Sequence, residues 1–496
     1  ESLDHSATPV LRDSIRRIAT TGVKDIGLSF SNVKMDIKSK QPMPYDPANF
    51  SFSYTRNETQ RRSPDTEYAN RRDFRILANY DYTPPTKTWE PFRNSHSRSD
   101  WTKPLRAINF NYLPNNIRLS SDLVRHYEEV QLRDLNAYAE GTTQAEQKYL
   151  SFSRNFFWNR DISITWDLTH SLKTAFQAGT VAEIEEPYLQ VNKELNKSDY
   201  KIWKDSVMQS IRELGKPLNY AQTADVTYIL PFAHIPVLDW IGSSAAYHSR
   251  YRWERGAMIE DENMGNFLQN DLSFTLNNRF NLLSLYHKIP FLKEADHGSG
   301  RDISRYAAQA LMMFRSIGFN WGYRSRSDIP GFEGMIGNFF GQSHMPGGLQ
   351  PGWKFAFGFE GGERFVEKLK NENMLVLNEN NIKPAIYNKT RNLRFDASIE
   401  PLPGLKIDLN ALYEKNHRTE IQYMFDDMPK KRGGSFAMTV QTLSSAFENS
   451  HAGNNYRSRA FEKFLRNREI IAERTRQQYA GTQYPTGGFL AGSGYA

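Results

Sequence analysis

Short segments in which aromatic or aliphatic residues alternate with polar ones recur along most of the chain. The segment 162–169 reads Ile-Ser-Ile-Thr-Trp-Asp-Leu-Thr, and 353–360 reads Trp-Lys-Phe-Ala-Phe-Gly-Phe-Glu. Neighbouring side chains of a β-strand point to opposite faces, so each segment predicts a strand with one apolar and one polar face. The pattern predicts sixteen strands, at 26–37, 49–57, 73–83, 105–113, 116–127, 152–168, 172–182, 222–230, 242–254, 271–280, 312–324, 353–360, 392–400, 404–414, 418–426 and 435–443.

The connections between these segments predict an antiparallel arrangement. Turn residues at 113–116, 169–172 and 401–404 leave room only for tight hairpins. Long connections lie at 128–151, 183–221, 255–270 and 325–352. Short turns at one end and long loops at the other are typical of an outer-membrane barrel.

Composition separates two kinds of membrane protein. The chain has 496 residues, of which 39% are hydrophobic and 13% aromatic, and it contains no run of 18 apolar residues. Helical membrane spans are therefore excluded, whereas a membrane barrel is compatible, because alternation keeps its average hydropathy low. We predict an all-β chain that forms an antiparallel transmembrane β-barrel wall of about 16 strands. A soluble β-sandwich also has strands with one apolar face and stays open as an alternative.

Two sets of side chains follow from this prediction. The aromatic residues expected to face lipid are Trp166, Tyr251, Trp253, Phe319, Trp321, Phe355 and Phe357. The charged residues expected to face the lumen are Asp167, Arg250, Arg252, Lys354, Glu360, Arg394, Asp396, Lys406 and Asp408.

The chain divides into three parts by pattern. Residues 1–25 form a lead-in, 26–443 the strand region and 444–496 a tail, in which a helix at 461–476 precedes a Gly-rich end. A second helix, at 199–214, lies in a long loop and carries its apolar residues at three- and four-residue spacing. We predict that it docks on the barrel rim or on a partner through Trp203, Val207, Ile211 and Leu214.

Catalytic and metal-binding motifs are weak. The sequence Gly341-Gln342-Ser343-His344-Met345 has Met where a nucleophile elbow requires a small residue. The chain has no cysteine, and its histidines never recur at metal-ligand spacing. We therefore predict no catalytic residue, no metal site and no cofactor.

The charge balance and the N-terminus add little to the assignment. The net charge of +7 is small for this length, and acidic residues are interspersed among the basic ones at 56–75, so no nucleic-acid partner is expected. The N-terminus has no signal-peptide pattern, and the chain is expected to be processed or part of something larger.

Several segments resemble one family. They are Phe-Ser-Phe-Ser-Tyr at 50–54, Thr-Glu-Tyr at 66–68, Asp-Leu-Val-Arg-His-Tyr at 122–127, Phe-Trp-Asn-Arg at 157–160, Trp-Asp-Leu-Thr at 166–169, Asp-Tyr-Lys-Ile-Trp-Lys-Asp at 199–205, Ile-Pro-Val-Leu-Asp-Trp at 235–240 and Asn-Arg-Glu-Ile-Ile at 467–471. Together they resemble the SprA/Sov family, the giant outer-membrane translocon of the Bacteroidota type IX secretion system. The resemblance extends over about residues 24–475.

The resemblance implies a protein-conducting channel and no chemistry. Family members are far longer, so the chain is expected to be a fragment that joins the remaining part of the same large barrel. The implied partners are outer-membrane lipid, folded secreted cargo proteins, a shuttle β-barrel protein at a lateral opening and a plug protein. A smaller, self-contained outer-membrane porin or transporter and a soluble β-sandwich binding module stay open as alternatives.

Overall fold

The computed structural model describes most of the chain. The described residues are 8–37, 39–85, 87–93, 100–133, 150–189, 191, 197–259, 262–297, 307–308, 310–336, 340–345, 348–377, 383–402, 404–424, 428–440 and 457–478. Two compact units are distinguished, residues 1–437 and 438–496. The Gly-rich end predicted after 476 lies almost wholly outside the described residues.

One antiparallel sheet of thirteen strands dominates the first unit. Its strands are β1 Gly22–Lys34, β2 Phe50–Arg62, β3 Thr66–Tyr82, β4 Asn116–Leu132, β5 Leu150–Asp167, β6 Leu172–Glu183, β7 Lys216–Leu230, β8 Ile241–Glu254, β9 Asn266–Asn281, β10 Phe314–Phe332, β11 Ala385–Leu402, β12 Leu405–Ile421 and β13 Lys430–Met438. Each strand pairs with its neighbours in sequence, so the order runs from β1 to β13 without a crossover. Among the described residues, β1 and β13 are the two edges of the sheet.

Helices and short ribbons occupy the connections. The helices are α1 Pro9–Ala19, α2 Lys103–Arg106, α3 Lys197–Arg212, α4 Leu282–Tyr286, α5 Pro290–His297, α6 Trp353–Ala356, α7 Glu363–Asn371 and α8 Arg459–Gln478. Short 3-10 turns lie at Pro47–Asn49, Asp100–Thr102 and Pro231–His234. Two-stranded ribbons join Thr88–Trp89 to Phe110–Asn111, Met258–Ile259 to Glu262–Asn263, and Ser343–Met345 to Gly348–Gln350.

Three of the sixteen predicted strands are wrong. The segment 353–360 contains α6, because the chain turns at Gly352 and Gly358, both of which have positive φ. The segment 105–113 begins with the last two residues of α2, and only Phe110–Asn111 within it form a strand. The segment 418–426 is not separate, since β12 runs without a break to Ile421.

The alternation gives the sheet two chemically different faces. The apolar face carries Trp166, Tyr247 and Trp321, and the polar face carries Asp167 and His248. Residues that are paired across neighbouring strands lie on the same face of the sheet. Phe30 of β1 is paired with Tyr54 of β2, and the pairing continues from strand to strand, so the apolar face extends across the sheet.

Part of the apolar face forms an exposed band. The side chains of this band that are more than a third exposed are Ile26, Leu28, Phe30, Val33, Phe50, Phe52, Leu119, Tyr228, Phe395, Ile407, Leu409 and Tyr413. The band crosses the sheet obliquely. In β2 it includes Phe50, on the paired row that contains Tyr251, whereas in β12 it includes Tyr413, on the row that contains Ala245. These two rows lie six residues apart in β8, about 20 Å along the strand.

The two ends of the sheet differ. At one end, called the insertion end, lie the long segments 133–149, 184–215, 255–265 and 333–384. At the other, called the hairpin end, lie the short turns 168–171 and 403–404. The predicted asymmetry is wrong in part, because the hairpin end also carries the long connections 83–115 and 282–313.

The core lies at the insertion end, on the apolar face. Segment 333–377, called the insertion, packs its α6 and α7 against β7 to β12. Its buried side chains include Phe355 and Leu369, both fully buried, which contact a layer that contains Trp253, Leu268 and Ile421. This cluster gives the sheet a second layer at its insertion end only.

Candidate functional site

The polar face brings together most of the residues predicted to line a lumen. Asp167, Arg250, Arg252, Arg394, Asp396, Lys406 and Asp408 all lie on it, at alternate positions of β5, β8, β11 and β12. The centre of this face is built from small uncharged residues. Ser244 pairs with Asn277, which pairs with Asn320, and Thr275 pairs with Gly322. The surface therefore offers hydrogen-bonding groups to water and few apolar atoms.

The charges of the polar face are mostly compensated by neighbours. Arg324 donates to both oxygens of Asp271, and Arg326 lies 3.0 Å from Asp328. Lys406 lies 3.4 Å from Asp408. The cation of each pair is exposed, so these pairs stabilise the fold little, but they cancel the long-range field that either charge alone would create.

Glycines allow side chains to lie flat on the polar face. Gly318 of β10 is paired with Asp396 of β11, and a Cβ at Gly318 would overlap the Asp396 carboxylate. Gly322 has the same relation to Asn392. The side chains of Asp396 and Asn392 on β11 therefore lie over β10 rather than project from the sheet, so the polar face is nearly flat at this point.

Two residues predicted to line the lumen are not on the sheet. Lys354 lies exposed on α6, and Glu360 follows that helix. Both belong to the insertion, which packs on the apolar face. The error has the same cause as the missed helix, since aromatic residues at every second position of 353–359 imitate a strand.

Four residues predicted to face lipid are placed differently. Tyr251 and Trp253 lie on the apolar face, but the insertion covers them and both are fully buried. Tyr251 donates through its hydroxyl to the Gly341 carbonyl at 2.8 Å, and Trp253 Nε1 donates to the Gly334 carbonyl at 3.1 Å. Phe355 is fully buried in α6, and Phe357 is the partly buried C-cap of that helix rather than part of a strand. The prediction that Tyr251, Trp253 and Phe355 face lipid is therefore wrong, and Phe357 does not belong to the sheet.

Trp166, Phe319 and Trp321 lie on the uncovered part of the apolar face. Trp321 contacts Phe274 with ring centroids 5.7 Å apart and Tyr323 at 6.5 Å. Trp166 donates through Nε1 to the Asn111 carbonyl at 2.9 Å. Each indole is partly exposed, in keeping with a position in the band.

The residues that hold the insertion were not predicted. Gln222 Nε2 donates to the Ala356 carbonyl at 3.2 Å, and Asn270 Nδ2 donates to the carbonyls of Phe355 and Glu360. The Ser327 hydroxyl accepts from the Gly362 amide at 3.2 Å. The signal in the sequence is that Gln222, Asn270 and Ser327 interrupt the apolar side of the alternation, where a buried polar group needs a partner.

The helix α3 docks on the apolar face of β3 to β5. Its Trp203, Val207 and Ile211 pack with Phe156 and Ile184, and the same cluster includes Phe74, Leu123 and Trp158. Leu214 follows the helix with a φ of 64° and ends it, and it is not among the described residues of this cluster. Through Trp203, Val207 and Ile211 the helix packs on the apolar face of the sheet, and docking on a barrel rim or on a partner stays a prediction.

A buried ion pair lies beneath α3. Arg125 on β4 donates to Glu186 at 2.6 and 2.9 Å, and Trp203 Nε1 donates to the same carboxylate at 3.0 Å. The guanidinium also lies over the Trp203 ring, 5.1 Å from its centroid. Arg125 and Glu186 are 8% and 2% exposed, so each needs the other.

A cleft of about 600 Å³ opens at the hairpin end. It lies between the polar face, at Gly242 and Arg279, and the α4–α5 excursion. Asp296 of α5 contacts His287 at 2.9 Å and Arg315 at 3.1 Å. Burial raises the pKa of Asp296, but the hydrogen bonds from His287 and Arg315 outweigh it and lower the pKa overall.

The described residues contain no arrangement typical of a metal site or a serine hydrolase. No group of three or more His, Cys, Asp or Glu side chains is close enough to hold a metal ion in the part of the chain that the structure describes. Ser343 and His344 lie in the short ribbon, opposite Gln350 and Leu349. Among the described helices, none is both long and apolar enough to cross a membrane.

Comparison with known proteins gives no further assignment. No protein-family model matches the chain, and no curated protein matches it significantly. The polar face, the exposed band and the covered insertion end therefore carry the functional interpretation.

Proposed function

We propose that this chain is a length of the wall of a transmembrane β-barrel, whose polar face lines a wide hydrated channel for folded proteins. The observation that carries the proposal is that one sheet of thirteen consecutive antiparallel strands has an exposed apolar band on one face and a charged and hydroxylated opposite face. Lipid outside and water inside require this combination.

The exposure of the band argues for lipid. Burying one Leu, Ile or Phe side chain stabilises a protein by about 1.5 to 3 kcal/mol. The twelve exposed side chains of the band are each 37 to 52% exposed, so they forgo roughly half of this amount, on the order of 10 to 15 kcal/mol, which is comparable with the whole net stability of about 5 to 15 kcal/mol of a typical domain. A soluble sandwich would cover the band with a second sheet, and among the described residues only the insertion end is covered.

The oblique course of the band supports a barrel. Strands of a barrel tilt relative to its axis, so a belt of lipid contacts at constant depth must shift along the strands from one to the next. From β2 to β12 the band shifts by about 20 Å over ten strand spacings of about 4.8 Å, which corresponds to a tilt of roughly 23°, the same order as the 35 to 45° that is typical of barrels.

The two edges support a barrel that is larger than this sheet. Most of β1 and all of β13 are exposed, and each has one paired neighbour among the described residues. An unpaired edge is not tolerated in the hydrocarbon core, so further strands must join both edges. A self-contained porin would require β1 to pair with β13.

The resemblance to the SprA/Sov family gives this wall a function. On that basis we propose the outer membrane of a Bacteroidota-type bacterium, folded cargo in the lumen, a shuttle barrel at a lateral opening and a plug. The small polar residues at the centre of the polar face and its compensated charges fit such a passage, because they give a folded cargo no apolar patch to bind.

These 496 residues contain no cysteine, so a single cysteine can be introduced at a chosen position and its labelling compared with that of the unsubstituted assembly. Single variants Arg250→Cys, Asp396→Cys and Phe319→Cys, in the complete assembly in intact membranes, are treated with a charged, water-soluble maleimide. We expect labelling at 250 and 396 and protection at 319. Equal labelling at all three positions contradicts the membrane wall.

Cargo passage is tested with the same variants. A photoactivatable cross-linker attached at position 250 or 396 should capture secreted protein when export is arrested, and one at 319 should not. If neither lumen position captures cargo while secretion is normal, the chain is not part of a protein-conducting channel, and the porin alternative is favoured.

A further inference from the structure

The insertion presents an aromatic surface beside the exposed band. Phe359 is 68% exposed, Phe340 50% and Trp353 43%. Trp353 stacks on Phe357 with centroids 6.3 Å apart and contacts Phe340 at 5.7 Å. We call these four residues the aromatic ledge.

The ledge is held in place from beneath. The Tyr247 hydroxyl donates to the Phe357 carbonyl at 2.6 Å, and the Tyr247 ring stacks on Phe359 at 5.5 Å with an angle of 11°. The neighbouring Phe355 is fully buried. An exposed aromatic cluster on a mobile loop would collapse onto itself, whereas this one is fixed at a defined height on the sheet.

The aromatic ledge lies at the level along the strands where the side chains of the apolar face change from apolar to basic. One row of paired residues, Ala245, Leu276, Trp321, Leu393 and Tyr413, is wholly apolar or aromatic. The next row towards the insertion end is Tyr247, Phe274, Tyr323, Arg391 and Lys415. The row after it contains Lys389 and His417. Apolar side chains thus give way to cations within about two rows, roughly 14 Å.

We propose that the aromatic ledge and the basic residues Lys389, Arg391 and Lys415 sit in the headgroup region of the bilayer, where they bind anionic lipid phosphates. Aromatic rings favour the boundary between acyl chains and headgroups, and lysine and arginine near it reach the phosphates. The inference rests on the proposed membrane wall, and it fixes the depth of that wall.

The continuity of the ledge with the band selects lipid as the occupant. Phe359 covers Tyr247, whose row borders the apolar row directly. Lys354, also on α6, is exposed beside Trp353 and adds a cation at the same level. By contrast, Arg364 is exposed on α7, next to Glu363, which contacts Lys430 and Arg432 at the insertion end of β13.

Depth measurement in a bilayer tests the proposal. Single variants Phe359→Cys, Trp353→Cys, Phe319→Cys and Arg364→Cys are labelled with a nitroxide. The full assembly is reconstituted in vesicles of phosphatidylethanolamine and phosphatidylglycerol. Accessibility to oxygen and to a soluble nickel chelate is then measured. The ratio of oxygen to nickel accessibility should rise several-fold from 364 to 359 and 353, and again from these to 319.

The outcomes separate this proposal from the proposed function. If 319 is in the hydrocarbon but 359 and 353 resemble 364, the ledge is in water and the proposal is wrong while the wall stands. If 359 and 353 are shielded from both reagents, protein covers the ledge and the proposal is also wrong. If 319 itself is in water, the membrane wall fails.

The basic residues have a separate readout. Arg391→Gln and Lys415→Gln together should reduce the gain in resistance to urea extraction that phosphatidylglycerol gives over phosphatidylcholine alone. The matched polar-face pair Arg394→Gln and Lys406→Gln should leave that gain unchanged. Equal gains in both double variants overturn phosphate binding.

Discussion

Glu363 at the start of α7 accepts hydrogen bonds from Lys430 at 3.0 Å and from Arg432 at 3.2 Å, which ties the insertion to the edge strand β13. The bond from Lys430 lowers the pKa of Glu363, burial opposes it, and Arg432 lowers it further. Because the pKa is depressed in the folded state, the pair stabilises at neutral pH, and this contribution is lost as the pH falls from the ordinary value of 4.5 through the lowered pKa.

Glu363→Gln should therefore loosen the insertion at pH 7 by about 0.5 to 1 kcal/mol, the scale of a partly exposed ion pair. Hydrogen exchange of α7 at pH 7 and pH 3.5, expressed as protection factors so that the slower intrinsic exchange at low pH is removed, measures it: protection in the wild type should fall at the lower pH, and the variant should show a smaller fall. Glu372→Gln, at the exposed C-cap of α7, is the control. An unchanged pH dependence in Glu363→Gln contradicts the assigned role.

The two faces should respond oppositely to the same substitution. Trp321→Arg places a charge in the band and should destabilise the folded protein in a bilayer by about 2 to 4 kcal/mol. Asn320→Arg places it one residue away on the polar face and should be nearly neutral. Urea unfolding in vesicles, supported by heat-modifiable migration on gels, compares them. Equal costs would remove the distinction between faces.

The ion pair beneath α3 should be sensitive to the loss of either partner. Glu186→Gln leaves Arg125 buried without its counter-charge, and breaking such a pair costs about 3 to 5 kcal/mol. Trp203→Ala should release α3 to proteases while the sheet persists, and the exposed Lys204→Ala serves as its control. Protease resistance of α3 in both Glu186→Gln and Trp203→Ala would show that other contacts hold the helix.

Gly265 should not tolerate a side chain. Its φ is +69°, and a Cβ there would meet the Cα of Gly331 at 2.6 Å, which is backbone and has no room to move. Gly404 has a φ of +83° with nothing within 4 Å of the same atom, so it isolates the backbone strain. Gly404→Ala should cost about 1 to 2 kcal/mol. Gly265→Ala should cost clearly more in the same unfolding measurement, and equal losses would mean that the contact with Gly331 is relieved without cost.

Alternation predicted the sheet well because most of the sheet has one apolar and one polar side. It placed parts of all thirteen strands and the face of each charged residue in them, from Asp167 to Asp408. It failed at 353–360, where Trp353 and Phe357 share the exposed side of a helical turn and Phe355 fills the core. The flanking glycines were the available signal, since Gly352 and Gly358 need positive φ.

The covering of Tyr251 and Trp253 was not predictable from the alternation. An aromatic side chain on the apolar side of a strand has the same sequence pattern whether lipid or protein covers it. What separates the two cases is the neighbouring Gln222, Asn270 and Ser327, whose polar groups require the insertion as a partner. The contacts between these polar residues and the insertion are distant in sequence: Asn270 and Phe355, for example, are 85 residues apart.

The uninterrupted order from β1 to β13 has a consequence for how such a wall is made. Every strand finds its partner in the adjacent hairpin, so the sheet can be zippered one hairpin at a time, with no strand waiting for a distant segment. In the proposed barrel the circumference would follow from the number of hairpins. An added hairpin would separate one pair of neighbouring strands and leave every other pair as it is.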